Sequence, residues 1–160
     1  MVTSGPQSPS PRPASWGPHV LIVEDDAATA ALIRAIVMRH GRGCSVTLVT
    51  DGGSAVRYLS GEAPFHDREI HPDPDLMILD LGLPDVSGLD VLAWLDDYPD
   101  APDTPVLVFS GSQDPLDAER AYALGARAFL HKSADPTQLI ALVKDVIERW
   151  VPQARDGTHG

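Results

Sequence analysis

Apolar residues in this chain gather in short dense runs, and between the runs they recur every three or four positions. Residues 20–23, 46–50, 76–79, 106–109 and 128–130 are short, apolar and partly β-branched, which predicts five buried strands. Residues 26–39 space Leu32, Ile33, Ile36 and Val37 along one helical face, and residues 54–59, 89–95 and 117–124 continue the alternation. The last helix, 135–150, has the clearest stripe, with Leu139, Leu142, Val143, Val146, Ile147 and Trp150 at helical spacing. Asp135-Pro136 supplies its start, an N-cap followed by proline in the first turn. Strict alternation of five strands and five helices predicts an α/β domain whose parallel sheet carries helices on both faces. In such open sheets the functional groups sit beyond the carboxyl ends of strands, where the strand order reverses. Chemistry is therefore expected just after Val23, Leu79 and Phe109.

The flanks read differently. Five of the fifteen prolines lie in the first eighteen residues, among Ser and Gly, so residues 1–16 are expected as a disordered extension. Residues 17–151 form the predicted domain and 152–160 a flexible polar tail. At 160 residues there is room for one domain with a proper core. No apolar run approaches the length of a membrane span, and the start lacks a charged, then apolar, leader. Cys44 is the single cysteine, so no internal disulfide forms, which suits a reducing cytoplasm.

Charge narrows the function. The formal net charge is -11, with Lys132 and Lys144 the only lysines. Nucleic acid is disfavoured, because phosphate-backbone binding needs clustered cations. A cationic ligand fits better, or an anion held beside a local cation.

The expected strand ends carry such groups: Glu24-Asp25-Asp26 after the first, Asp80 after the third, Ser110 at the fourth and Lys132 at the fifth. Carboxylates crowded together repel unless a cation joins them. Oxygen-only ligation with an open position suits Mg²⁺, which keeps waters and shares a phosphate. A hydroxyl can donate to a phosphoryl oxygen, and a lysine can neutralise the arriving charge. Carboxylate, metal, hydroxyl and ammonium are the parts phosphoryl transfer needs, since positioning and charge stabilisation do most of its work.

Over roughly residues 18–150 the chain resembles a response-regulator receiver domain of the stand-alone, chemotaxis-regulator-like type used in two-component signalling. The resemblance lies in Leu21-Ile22-Val23-Glu24-Asp25-Asp26, in Leu79-Asp80-Leu81-Gly82-Leu83-Pro84 with Gly88, in Phe109-Ser110-Gly111, and in Gly125-Ala126 followed by Phe129 and Lys132. It implies a flavodoxin-like doubly wound sheet with strand order 2-1-3-4-5. It also implies roles. Asp80 is the phosphoacceptor; Asp25, Asp80 and the backbone carbonyl of Gly82 bind Mg²⁺ directly, and Glu24 binds it through water. Ser110 bonds the phosphoryl group, Lys132 pairs with it, and Phe129 is the aromatic switch. The implied donor is a sensor histidine kinase or a histidine phosphotransfer protein. The implied output is association with itself as a homodimer, or with another protein, through the fourth helix, fifth strand and fifth helix.

Three departures stand out. Ser133 follows Lys132 where the family favours proline, so whether the cis peptide common there is kept stays open; without proline it costs about 3–4 kcal/mol. Gly111 stands where alanine is frequent. Residues 61–75, with three prolines, exceed a minimal connection and read as a surface insertion. Asp26 reads as the N-cap of the first helix, and His66, His71 and His131 read as surface residues. Trp94 and Trp150 read as packing residues, and Cys44 as a loop residue. Two other functions stay open at this point: a phosphatase working through an aspartyl-phosphate, and an interaction module that takes no phosphate. The first lacks an acid two positions after Asp80, where Gly82 stands.

Overall fold

The computed structural model describes residues 17–41 and 43–150; the expected extension over 1–16 and the tail over 152–160 lie outside the described residues. Strands β1 (His19–Val23), β2 (Ser45–Val49), β3 (Leu76–Leu79), β4 (Val106–Ser110) and β5 (Ala128–His131) alternate with helices α1 (Ala27–His40), α2 (Gly52–Ser60), α3 (Gly88–Asp97), α4 (Pro115–Ala123) and α5 (Pro136–Trp150). All pairings are parallel and the sheet runs β2-β1-β3-β4-β5. The order reverses between β1 and β3, whose last residues Val23 and Leu79 are in register.

Side chains alternate across each strand and so feed two separate cores. Val20 and Ile22 of β1, Ile78 of β3 and Leu107 and Phe109 of β4 pack under α1 and α5, with Ile33, Ile36, Val37, Leu139 and Val143. Leu21, Val23, Met77, Leu79 and Val108 pack on the other face against Tyr58, Val91, Leu92 and Ala121 of α2, α3 and α4. Covering both faces is why β1, β3 and β4 are buried without interruption. The edge strands differ. In β2 only Val49 is buried, which corrects the expectation of a buried strand, because β2 pairs on one side alone.

Helix starts follow their caps. The Asp26 carboxylate accepts the Thr29 N–H at 2.9 Å, and the Asp135 carboxylate accepts that of Thr137, also at 2.9 Å. Ser87 and Asp90 form a reciprocal capping box at the start of α3. On α1 the buried residues are Ala30, Ile33, Ile36 and Val37. Leu32 is 43% exposed and leaves the expected stripe, since its neighbour Ile33 faces the core. α4 buries Ala121 alone.

Residues 61–75 are packed rather than loose. The Tyr58 hydroxyl, wholly buried, donates to the Pro72 carbonyl at 2.8 Å and lies 3.0 Å from His19 Nε2. Phe65 and His71 set against the Tyr58 ring, so His71 is half-buried rather than a surface residue. Arg68 donates to the carbonyls of His71 and Leu59 at 3.0 and 3.1 Å, closing the end of α2. Among the described residues, the one cis peptide is Ala63-Pro64, so Lys132-Ser133 is trans. No helix among them is long and apolar enough to cross a membrane.

Candidate phosphoryl and metal site

Four loops at the carboxyl edge of the sheet bring the expected groups together. The Glu24 N–H donates to the Val49 carbonyl and the Asp80 N–H to the Val23 carbonyl, both at 3.0 Å. The sheet's own ladder thus sets where both acids begin. Glu24 is 1% exposed and Asp80 is 5% exposed, while Asp25 beside them is open to solvent. One carboxylate oxygen from each of Glu24, Asp25 and Asp80 lies within 4.8 Å of the others. Asp26 turns away to cap α1, as the sequence indicates.

Lys132 answers this charge. Its N–H donates to the Ser110 carbonyl at 2.8 Å, which fixes the end of β5 to that of β4. Its ammonium lies 2.8 Å from Glu24 Oε1 and donates to Asp80 Oδ2 at 3.2 Å. Burial pushes the Glu24 carboxyl above its ordinary range, against the pull of Lys132, and the nearby Asp80 charge adds to the rise. For Lys132, burial opposes the charged form most strongly, but Glu24 and Asp80 together outweigh it and raise the ammonium's pKa. Three carboxylates against one ammonium leave a negative deficit at this cluster, two of whose acids are buried.

Ser110 is buried, and its hydroxyl accepts the Ser112 N–H at 3.1 Å. The Ser112 hydroxyl donates to Asp117, which Arg120 holds at 3.1 Å. Asp25, Asp80, Gly82, Ser110, Ser112 and Lys132 line one cleft of about 530 Å³. Phe129 does not line it. That ring packs partly buried on the α2–α4 side, and its N–H donates to the Tyr122 hydroxyl at 3.0 Å. The Gly82 N–H donates to Asp80 Oδ1 at 3.2 Å.

The donor set fits a divalent cation that prefers oxygen. Glu24 Oε1, fully buried, has no hydrogen-bond partner among the described residues and meets only the ion-pair contact with Lys132. A water on a bound cation would satisfy such an atom. Two features escaped the sequence: the direct Glu24–Lys132 pair and the Ser112–Asp117 link. Only the acid in the first turn of α4 hinted at the second.

The family description "Response regulator receiver domain" matches residues 20–144. The chain belongs to that family. Receiver domains are signalling switches that bind a divalent metal. This receiver is 29% identical over 132 residues to the response regulator Rcp1 of Synechocystis, covering 82% of this chain and 88% of that protein. Among solved structures it is similar to the phosphorylated cyanobacterial phytochrome response regulator RcpA, with a TM-score of 0.73 and 33% identity over 83% of this chain and 93% of that one. The Mn²⁺-bound form of Rcp1 matches with a TM-score of 0.72 and 28% identity, covering 84% of this chain and 94% of that one. Several other curated relatives are longer transcriptional regulators, of which the receiver spans about half, 52% and 51% for two of them.

Proposed function

We propose that this receiver, residues 17–151, is a phosphorylation switch in which Asp80 accepts a phosphoryl group with Mg²⁺ and passes the signal through an altered protein surface. The observation that carries this reading is the meeting of three carboxylates within 4.8 Å, with Lys132 on two of them. Asp25, Asp80 and the Gly82 carbonyl would hold the Mg²⁺, and Glu24 would reach it through water. When bound, the ion draws charge from the phosphoryl oxygens.

The Asp80 carboxylate attacks phosphorus in line. The bond from phosphorus to the donor's imidazole nitrogen breaks, and that nitrogen leaves with the bonding pair. Lys132 loses part of its hold on Asp80 as the carboxylate is esterified and turns to the new phosphoryl oxygens. Ser110 donates its hydroxyl to the same group, which draws the loop after β4 inward. Phe129 and the surface of α4, β5 and α5 follow. The donor is a sensor histidine kinase or a histidine phosphotransfer protein; the likeness to RcpA supports a phytochrome-type kinase. The output is association, with a second copy or with another protein, in the cytoplasm. Neither nucleic acid nor membrane is the target, in keeping with the net charge of -11. Beyond gaining and losing its own phosphoryl group the protein is not an enzyme: the acid a phosphatase needs two positions after Asp80 is replaced by Gly82.

The test is labelling by acetyl phosphate and Mg²⁺, read by intact mass. Wild type gains the mass of one phosphoryl group, and Asp80→Asn gains none. Undiminished labelling of that variant rejects the assignment.

A further inference from the structure

The loop that carries Asp80 is anchored on two sides, and the outer anchor is an acid that serves another helix. On the inner side the Gly88 N–H closes the loop onto the Leu81 carbonyl at 3.0 Å. On the outer side the Asp85 carboxylate accepts the N–H groups of Gly52 and Gly53 at 3.1 and 3.3 Å. These are two of the donors that the start of α2 leaves without partners in the helix. Asp51 takes the next, from Ser54, at 2.6 Å. Capping of α2 is thus divided between its own N-cap and the loop of the candidate site.

Space at this junction is matched to the contact. A methyl group on Gly52 would lie 2.1 Å from the Val86 carbonyl oxygen, and one on Gly53 would lie 2.8 Å from Asp85 Oδ2. At Gly52 only a residue without a Cβ lets the loop seat so closely, because the atom it would strike is backbone; at Gly53 that atom is the tip of the Asp85 side chain. Gly82, by contrast, has open space on its Cβ side, where a methyl group would meet nothing nearer than Asp80 Oδ1 at 3.9 Å, and its N–H bonds only back to Asp80 within the same loop. The contacts that tie this loop to the rest of the protein lie on either side of Gly82, and Asp85, three residues on, makes the outer one.

We propose that Asp85 is a positioning residue for the phosphoryl and metal site, whose grip on Gly52 and Gly53 holds the outer leg of residues 80–88 so that the Asp80 carboxylate and the Gly82 carbonyl can share one cation. This rests on the reading of Asp80 and its neighbours as that site. Groups that orient metal ligands from outside typically matter by 10–100-fold in affinity, roughly, and Asp85 acts from farther out than a direct partner of a ligand.

The experiment compares wild type with Asp85→Ala, Asp85→Asn and Gly53→Ala. Amide hydrogen exchange without metal, Mg²⁺ titration by calorimetry and thermal melting are the readouts. In Asp85→Ala the amides of Gly52, Gly53 and residues 81–87 exchange faster, and Mg²⁺ binds about tenfold more weakly. Asp85→Asn keeps an acceptor oxygen and recovers most of the affinity. Gly53→Ala leaves every polar group in place but presses on the carboxylate, and falls between them. Asp85→Ala with wild-type Mg²⁺ affinity and unchanged exchange in 81–87 overturns the proposal. If that variant does not fold, faster exchange at Gly53 in Gly53→Ala, with wild-type exchange in 81–87 and wild-type Mg²⁺ affinity, overturns it. Failure of wild type to bind Mg²⁺ overturns the reading of the site itself, and this proposal with it.

Discussion

Lys132 stands closer to Glu24 than to Asp80: Nζ is 2.8 Å from Glu24 Oε1 and 3.2 Å from Asp80 Oδ2. The lysine therefore neutralises first the more buried of the two acids, and holds Asp80 with its second contact. Its ammonium charge substitutes there for that of a cation.

That substitution predicts the behaviour of Lys132→Met. Removing one partner of a buried pair leaves the other charge uncompensated, which costs roughly 3–5 kcal/mol when both are buried. Lys132 is 25% exposed, so about 2 kcal/mol is expected after discounting for solvent. Mg²⁺ supplies the missing charge, so the gain in melting temperature on adding Mg²⁺ is larger in Lys132→Met than in wild type. Equal gains in the two proteins would contradict this role.

Two glycines near the site make opposite predictions. A methyl group at Gly88 would sit 2.3 Å from the Asp80 carbonyl oxygen and 2.6 Å from Leu81 Cα, both backbone atoms. Gly88→Ala therefore loses about 3 kcal/mol, the upper end for overpacking. At Gly111 the nearest neighbour would be Lys132 Cδ at 3.7 Å, an ordinary contact. Gly111→Ala stays within about 0.5 kcal/mol of wild type. Urea unfolding of the two variants checks both values.

Tyr58→Phe tests the packed segment 61–75. The hydroxyl is buried and donates to the Pro72 carbonyl, and that acceptor loses its donor in the variant. A loss of about 1–2 kcal/mol is expected, with faster amide exchange confined to 61–75. A segment that merely rests on the surface would show neither.

Cys44 gives a pH dependence. Burial, with a smaller contribution from Asp75, pushes its thiol up from 9.0 to about 11. Below pH 9 the thiol is neutral in both folded and unfolded chains and has no effect. Above it the unfolded chain releases the proton and the folded chain does not, so stability falls as pH rises toward 11. The slope from this group is at most about 1.4 kcal/mol per pH unit. Cys44→Ala flattens it in denaturation series between pH 8.5 and 11, and alkylation of native wild type at pH 8.5 is far slower than of the unfolded chain.

The sequence carried the fold because three strands are buried on both faces and appear as unbroken apolar runs, and because Asp26, Asp135 and Pro136 mark helix starts by local chemistry. It also carried Asp25, Asp80, Ser110 and Lys132, because each lies where a strand ends. It misjudged Leu32, which α1 turns to solvent beside the buried Ile33, and β2, whose apolar residues look like core in one dimension but lie at the edge of the sheet. It missed the contacts that cross between elements. Nothing local marks Asp85 as a cap for α2, 33 residues earlier, or ties Tyr58 to Pro72. Partners of that kind appear only when the sheet has brought distant loops side by side.

α4 is held by less than its neighbours. Where α1 sinks four side chains into the protein, α4 sinks the single methyl of Ala121, and Tyr122 on it clasps β5 through one hydroxyl. Withdrawing a methyl from its seat costs about 0.8 kcal/mol, and one hydrogen bond adds about 1. An event at the strand ends worth a few kcal/mol is comparable with these two contacts. This lightly moored helix begins just beyond Ser110, one of the groups expected to change.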